Sequence, residues 1–137
     1  MQTVTPYLLY EDVATAIDWL SRAFGLEERL RFTDDEGTVT HAELTIGGGE
    51  VFLGHPGSDY RNPRDLDAFT HLVHVYVQDV DAHHARAVEA GAPIRGELQD
   101  TPYGDRRYDT EDPEGHRWSF AQVVNERAPE EWGATGA

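Results

Sequence analysis

Neither cysteine nor lysine occurs anywhere in the 137 residues of this chain. Without cysteine there can be no disulfide, no thiolate nucleophile, and no zinc or iron–sulfur site built on sulfur. Without lysine there is no amine for Schiff-base chemistry and no phosphate loop closed by a lysine. Positive charge is scarce as well: eleven arginines stand against twenty-six acidic residues, a formal charge of −15. That balance opposes nonspecific nucleic-acid binding, so no nucleic-acid partner is expected, and it favours cationic ligands wherever the carboxylates converge. Serine is rare too, with Ser21, Ser58 and Ser119 the only three and none in a nucleophile-elbow sequence, which leaves a Ser-His-Asp triad little to rest on.

Long apolar runs are also missing, and no membrane association is expected. The start, Met1-Gln2-Thr3-Val4, lacks a basic region followed by an apolar core, so a secretory signal is not expected and a cytoplasmic location is. The single run of three glycines, Gly47-Gly48-Gly49, has no helix pattern after it and reads as a hairpin turn.

What is present is a repeated plan. Val13, Ala16, Ile17, Leu20 and Phe24 recur at helical spacing between a cap at Asp12 and a stop at Gly25, following an alternating stretch from Thr3 to Tyr10. Strands are expected at Glu27–Thr33, Val39–Ile46 and Glu50–Leu53, separated by turns at Asp34–Gly37 and Gly47–Gly49. His55 to Phe69 breaks the periodicity and reads as a linker. The same order then returns: alternation from Leu72 to Val77, a cap at Asp79, a helix to about Ala90, a stop at Gly91, and strands at Ile94–Leu98, Arg106–Thr110 and His116–Gln122. The last two strands flank Asp112-Pro113-Glu114-Gly115, a tight turn in which proline fixes φ and glycine is free to take it positive. The expected organisation is one α+β domain over residues 1–122, with a first βαβββ module at 1–54, a linker at 55–70, a second module at 71–122, and a polar tail at 123–137, mobile or laid on a partner.

The two modules, with HAEL at His41–Leu44, VQDVDAHHARAVEAGAPI from Val77 and YGDRRYDTEDPEGHRWSF from Tyr103, resemble the vicinal oxygen chelate superfamily, and within it the glyoxalase/bleomycin-resistance-like branch. The resemblance implies curved mixed sheets around a cleft with helices outside, assembled as a homodimer. It also implies metal ligands from the first and last strands of each module in the chelating members. Alignment on Asp12-Val13, Gly49–Pro56, Asp79-Val80 and Gly115-His116 puts Thr5, Phe52, Leu72 and Ser119 there. A phenyl and an isobutyl group donate nothing to a cation, so no metal and no other cofactor is expected.

The period of two sorts each strand into faces. Val51, Leu53, Ala42, Leu44, Trp118 and Phe120 suit the helix side, as do Val73, Val75 and Val77. The cleft side is expected to carry Tyr7, Arg29, Arg31, His41, Glu43 and Glu50 from the first module, with Phe52 beside them, and His74, Tyr76 and Ser119 from the second. A slip of one residue would exchange His71 and His74 between faces. Arg106, beside Gly104 at the cleft mouth, offers a planar fork for a carboxylate ligand or an ion pair with one of the chain's own acids. His83 and His84 are read as surface or boundary positions on a helix, and Trp19 as packing on its own module or a partner.

Two functions follow from these faces. The first is a metal-free small-molecule-binding protein of the antibiotic-sequestering type, holding an aromatic or cationic compound in a dimer cleft. The second is an enzyme of the same fold, a lyase, isomerase or dioxygenase, using His41, Glu43, Glu50 or His74 as acid and base or as a metal set drawn from unusual positions.

Overall fold

The computed structural model describes residues 2–136. Two four-stranded mixed sheets are built to one plan. The first comprises β1 (Tyr7–Leu9), β2 (Glu27–Thr33), β3 (Val39–Ile46) and β4 (Gly49–Gly54), ordered β1-β4-β3-β2, with helix α1 (Val13–Phe24) after β1. A linker carrying the short helix α2 (Pro63–Leu66) leads to the second. There β5 (Leu72–Tyr76), helix α3 (Val80–Glu89), β6 (Ile94–Asp100), β7 (Asp105–Glu111) and β8 (Arg117–Val123) follow, in the sheet order β5-β8-β7-β6. In each sheet the first strand pairs in parallel with the last and the remaining pairings are antiparallel.

The caps form as their residue types dictate. Asp12 accepts from the Thr15 amide at 3.0 Å, and Asp79 accepts from the Ala82 amide at 3.0 Å. Gly25 takes φ +78° to close α1, whereas α3 closes at Ala90 and Gly91 turns the chain one residue later at φ +85°. The Asp112 turn closes through the Gly115 amide on the Asp112 carbonyl at 2.9 Å, with Gly115 at φ +91°. The first strand is shorter than the alternation predicts: pairing to β4 begins at the Pro6 carbonyl, which accepts from the Phe52 amide, and proline has no N–H to extend the ladder.

The helix sides of both sheets share one core. Phe24 at the end of α1 lies 5.5 Å from Trp118 and 4.8 Å from Phe120 of β8, centroid to centroid, and all three are fully buried. Burying such a ring is worth roughly 1.5–3 kcal/mol. His83 of α3 ties the helices together. Its Nε2–H donates to the Phe24 carbonyl at 2.8 Å, and its Nδ1 therefore accepts from the Tyr108 hydroxyl at 2.6 Å. Arg86 donates to the carbonyls of Ser21 and Arg22 in the last turn of α1, the first of which also accepts from the Gly25 amide. With the helix sides turned onto this core, the opposite face of each sheet stays open.

The stretch after β8 lies against its own chain. The Val124 and Asn125 amides donate to the Gly104 carbonyl, Arg127 donates to the Pro102 carbonyl at 2.6 Å, and Trp132 packs 5.7 Å from Tyr103.

Candidate functional site

The open face of the first sheet is organised in rows, because residues directly opposite across a ladder share a face. One row runs Tyr7, Phe52, Glu43, Leu30 across the four strands. The next runs Leu9, Gly54, His41, Phe32. Gly54 matters because it has no side chain: a Cβ there would sit 2.7 Å from a Tyr7 ring carbon. The Tyr7 ring therefore lies over Gly54 and its hydroxyl reaches His41 Nδ1 at 2.7 Å, while His41 Nε2 meets Glu43 at 2.9 Å. A carboxylate can only accept, so Nε2 carries the proton and Nδ1 accepts from the tyrosine. Phe52 packs edge-on to both Tyr7 and His41, which are themselves tilted to each other, with centroids 5.5–5.7 Å apart. Arg29 pairs with Glu43 and, at 3.1 Å, with Glu50. A recess of about 320 Å³ beside this cluster is lined by Tyr7, Leu9, Thr40, Gly54, His55 and Pro56.

The second sheet repeats the rows with different chemistry. His74, Ser119, Asp109 and Gly96 form one; Tyr76, Ala121, Arg107 and Gln99 form the other. Register thus makes His74 the counterpart of Tyr7, Asp109 of Glu43, and Arg107 of His41. His74 Nδ1 lies 2.8 Å from Ser119 Oγ, Tyr76 donates to Asp105 at 2.7 Å, and Arg107 pairs with Asp109 at 2.7 Å. Desolvation, then repulsion from Arg107, holds the His74 imidazole below its ordinary value. The bond to Asp105 and burial push the Tyr76 phenol up.

Most of the expected cleft-side residues share these faces: Tyr7, His41, Glu43, Glu50 and Phe52 gather on the first, His74, Tyr76 and Ser119 on the second. Two expectations are corrected. Arg106 lies on the helix side, opposite Gln122, whose side chain caps the Val80 amide; it pairs with Asp100 at 2.7 Å and Asp81 at 3.0 Å, so its fork is filled by the chain's own acids. Arg31 is turned to the side of Ala42 and pairs with Glu28, because a bulge at Arg29 shifts the register of β2 and brings Leu30 and Phe32 to the open face. Ser119 keeps its face but is fully buried beneath its neighbours, where its hydroxyl meets His74. Arg107, Asp109 and Asp105 were missed. The signal was available in Tyr108, an aromatic ring that belongs in the core and so sends its neighbours to the other face.

A resident metal does not fit these donors. His41 is engaged by Tyr7 and Glu43, both Glu43 and Glu50 are held by Arg29, and His74 belongs to the other sheet. Among the described residues no three His, Cys, Asp or Glu side chains converge as a cation would need. Among them, too, no helix is long and apolar enough to cross a membrane.

Known proteins of the same build support the topology. TioX from Micromonospora sp. ML1 superposes with a TM-score of 0.73 at 38% identity, covering 93% of this chain and all of its own. A glyoxalase/bleomycin resistance protein/dioxygenase from Nocardioides gives a TM-score of 0.69 at 17% identity over 99% of this chain and 91% of its own, a likeness of fold alone. The uncharacterized protein Rv0887c of Mycobacterium tuberculosis is 37% identical over 128 residues, 90% of this chain and 75% of that one. The family model "Glyoxalase/Bleomycin resistance protein/Dioxygenase superfamily" matches residues 3–120, and with both modules accounted for by that match the chain belongs to this superfamily.

Proposed function

We propose that this chain is a metal-free binding protein for aromatic or cationic small molecules, of the antibiotic-sequestering kind that the superfamily's name includes, and that it works as a homodimer in which a second copy walls in each open face. The observation that carries the reading is an aromatic floor left uncovered beside surplus carboxylate. Tyr7 is 52% exposed and Tyr76 56%, on faces where Glu43 and Glu50 share the single Arg29, and Asp105 and Asp109 have Arg107. Flat apolar surface with a net negative charge suits a ring system carrying a positive charge. Leu30, Phe32 and Leu72 extend the exposed apolar area on the same faces, which is the kind of surface that a partner covers.

Calorimetric titration with a panel of cationic aromatic compounds, bleomycin-type molecules included, tests this reading, together with sedimentation to give the oligomeric state. Binding that weakens at least tenfold in Tyr7→Ala or Tyr76→Ala supports it; no heat and no thermal shift across the panel removes it.

A second reading rests on the chain of bonds Tyr7–His41–Glu43. A carboxylate that fixes an imidazole tautomer, which in turn accepts from a phenol, is an arrangement able to move a proton. Mass analysis of a compound recovered after binding separates the two: an unchanged compound supports sequestration, and an altered one supports an acid–base enzyme.

A further inference from the structure

A crevice of about 590 Å³ is on neither of the clusters above. It opens where the linker crosses the end of the second sheet, and α1 contributes Trp19 to its wall. Three charged side chains form its floor. Glu111 of β7 and Arg117 of β8 are directly opposite across the ladder, and Arg95 projects from β6. One oxygen of Glu111 takes Arg95 and the other takes Arg117 Nε at 3.1 Å. Two guanidiniums thus share one carboxylate. The remaining N–H groups of both arginines have no protein acceptor among the described residues, while Glu111 has both oxygens engaged.

Aromatic rings and prolines stand among the charges of the walls. Phe69 of the linker lies under the Arg117 guanidinium, 3.9 Å from carbon to ring centroid, and Trp19, Pro93 and Pro113 complete the surround. The rest of the chain sets the selectivity. A net charge of −15 repels small anions at long range, and within the crevice Asp67 and Asp112 offset the third lining arginine, Arg64, so a bare or multiply charged anion gains little here. A ligand that buries a ring against Trp19 and Phe69 and brings a single carboxylate to the free arginine donors gains both terms.

From this arrangement we infer a second binding site, for a monoanionic aromatic carboxylate, held by Arg95 and Arg117 between Trp19 and Phe69. It lies at the linker end of the second sheet, one ladder row beyond His74 and Ser119, and is opposite in charge preference to the two clusters described above.

The probe is 2-naphthoate, compared with 2-naphthylmethylamine and with inorganic phosphate, by calorimetry on the full chain. Naphthoate is expected to bind, with the amine and phosphate at least tenfold weaker. Arg117→Gln and Arg95→Gln should each weaken naphthoate at least tenfold, and Arg127→Gln, which removes a charge at a distance, should leave it unchanged. Melting curves show which variants fold. For a variant that does not, transferred magnetisation from naphthoate protons to the Phe69 and Trp19 rings of the wild-type chain takes its place. No naphthoate binding, equal binding of the amine, or naphthoate contacts to Tyr7 or Tyr76 in place of Phe69 would each overturn the assignment.

Discussion

Tyr10 and Asp112, 102 residues apart in sequence, are joined by a hydrogen bond of 2.7 Å in which the buried phenol donates to Oδ2 of a carboxylate that is itself 3% exposed. Asp112 also accepts from the Trp118 indole at 3.1 Å and from the amides of Glu114 and His116. Burial pushes this carboxyl up, while the His116 imidazole and the bonds from Tyr10, Trp118 and the His116 amide pull the other way. The bond stitches the first module to the turn of the second. Tyr10→Phe removes one donor from a buried charge and should lower stability by about 2 kcal/mol, measured by chemical denaturation. A loss below about 0.5 kcal/mol would mean that solvent replaces the phenol.

Gly115 holds the linker in place. A Cβ at this position would lie 2.7 Å from the Arg64 backbone nitrogen, which itself donates to the Glu114 carbonyl at 3.0 Å, and φ is +91°. Gly115→Ala combines strain with a clash against backbone, and should cost about 2 kcal/mol while loosening α2. Hydrogen exchange at Asp65 and Leu66 would speed up ahead of exchange in β8.

Gly54→Ala tests the open face without touching its functional groups. The added methyl displaces the Tyr7 ring, so the Tyr7–His41 bond breaks. Affinity for a cationic aromatic compound should fall several-fold, with the melting temperature within a few degrees of wild type. Unchanged affinity would show that the ring's position over Gly54 plays no part in binding.

Arg29→Gln should act in the opposite direction. Arg29 neutralises one of the two carboxylates at Glu43 and Glu50. Removing it should raise affinity for a cationic ligand by roughly three- to tenfold at low salt, and added salt should erase most of the gain. A loss of affinity would mark Arg29 as a ligand contact in its own right.

Acid should destabilise the fold through its histidines. Burial holds His83 below the ordinary 6.5, with the Phe24 carbonyl opposing, and desolvation lowers His71 and His74 as well. Below about 6.5 the unfolded chain takes up protons that the folded chain resists, so their contribution is whole above that value and is lost as pH falls toward the folded values. The raised Asp112 works in the reverse sense. The melting temperature of wild type minus that of His83→Gln isolates the first effect: the difference should shrink between about pH 7.5 and about pH 5.5. A difference that grows on acidification contradicts the assignment.

The repeat, its helices α1 and α3 and all eight strands were legible because each rests on local chemistry: Asp12 and Asp79 as caps, apolar spacing, and glycines at positive φ, whereas α2 is a single turn inside the stretch read as a linker. Faces followed from parity wherever a strand ran unbroken, as at His41, Glu43 and Phe52. Parity failed at Arg29, since a bulge leaves no mark in the order of residues, and it was not applied to β7, where Tyr108 would have revealed Arg107 and Asp109. Arg106 takes the second of the two roles open to it in the sequence, an ion pair with the chain's own acids: Asp100 stands opposite it across the β6–β7 hairpin, while Asp81 comes from α3, which only the tertiary fold brings to it. The crevice at Trp19 was beyond reach for the same reason: α1, the linker and three strand ends meet there.

The hold of the last residues on the Gly104 turn has a practical side. A Cβ on Gly104 would fall 1.9 Å from the Asn125 carbonyl oxygen, so the turn and the strand exit fit together without slack, and Trp132 covers the Tyr103 ring whose hydroxyl meets Arg107. The residues after β8 are therefore part of the surround of the second open face. Trimming it after Val123, or fusing a purification handle close behind it, changes what the second open face presents, and ligand screens belong on the untagged chain.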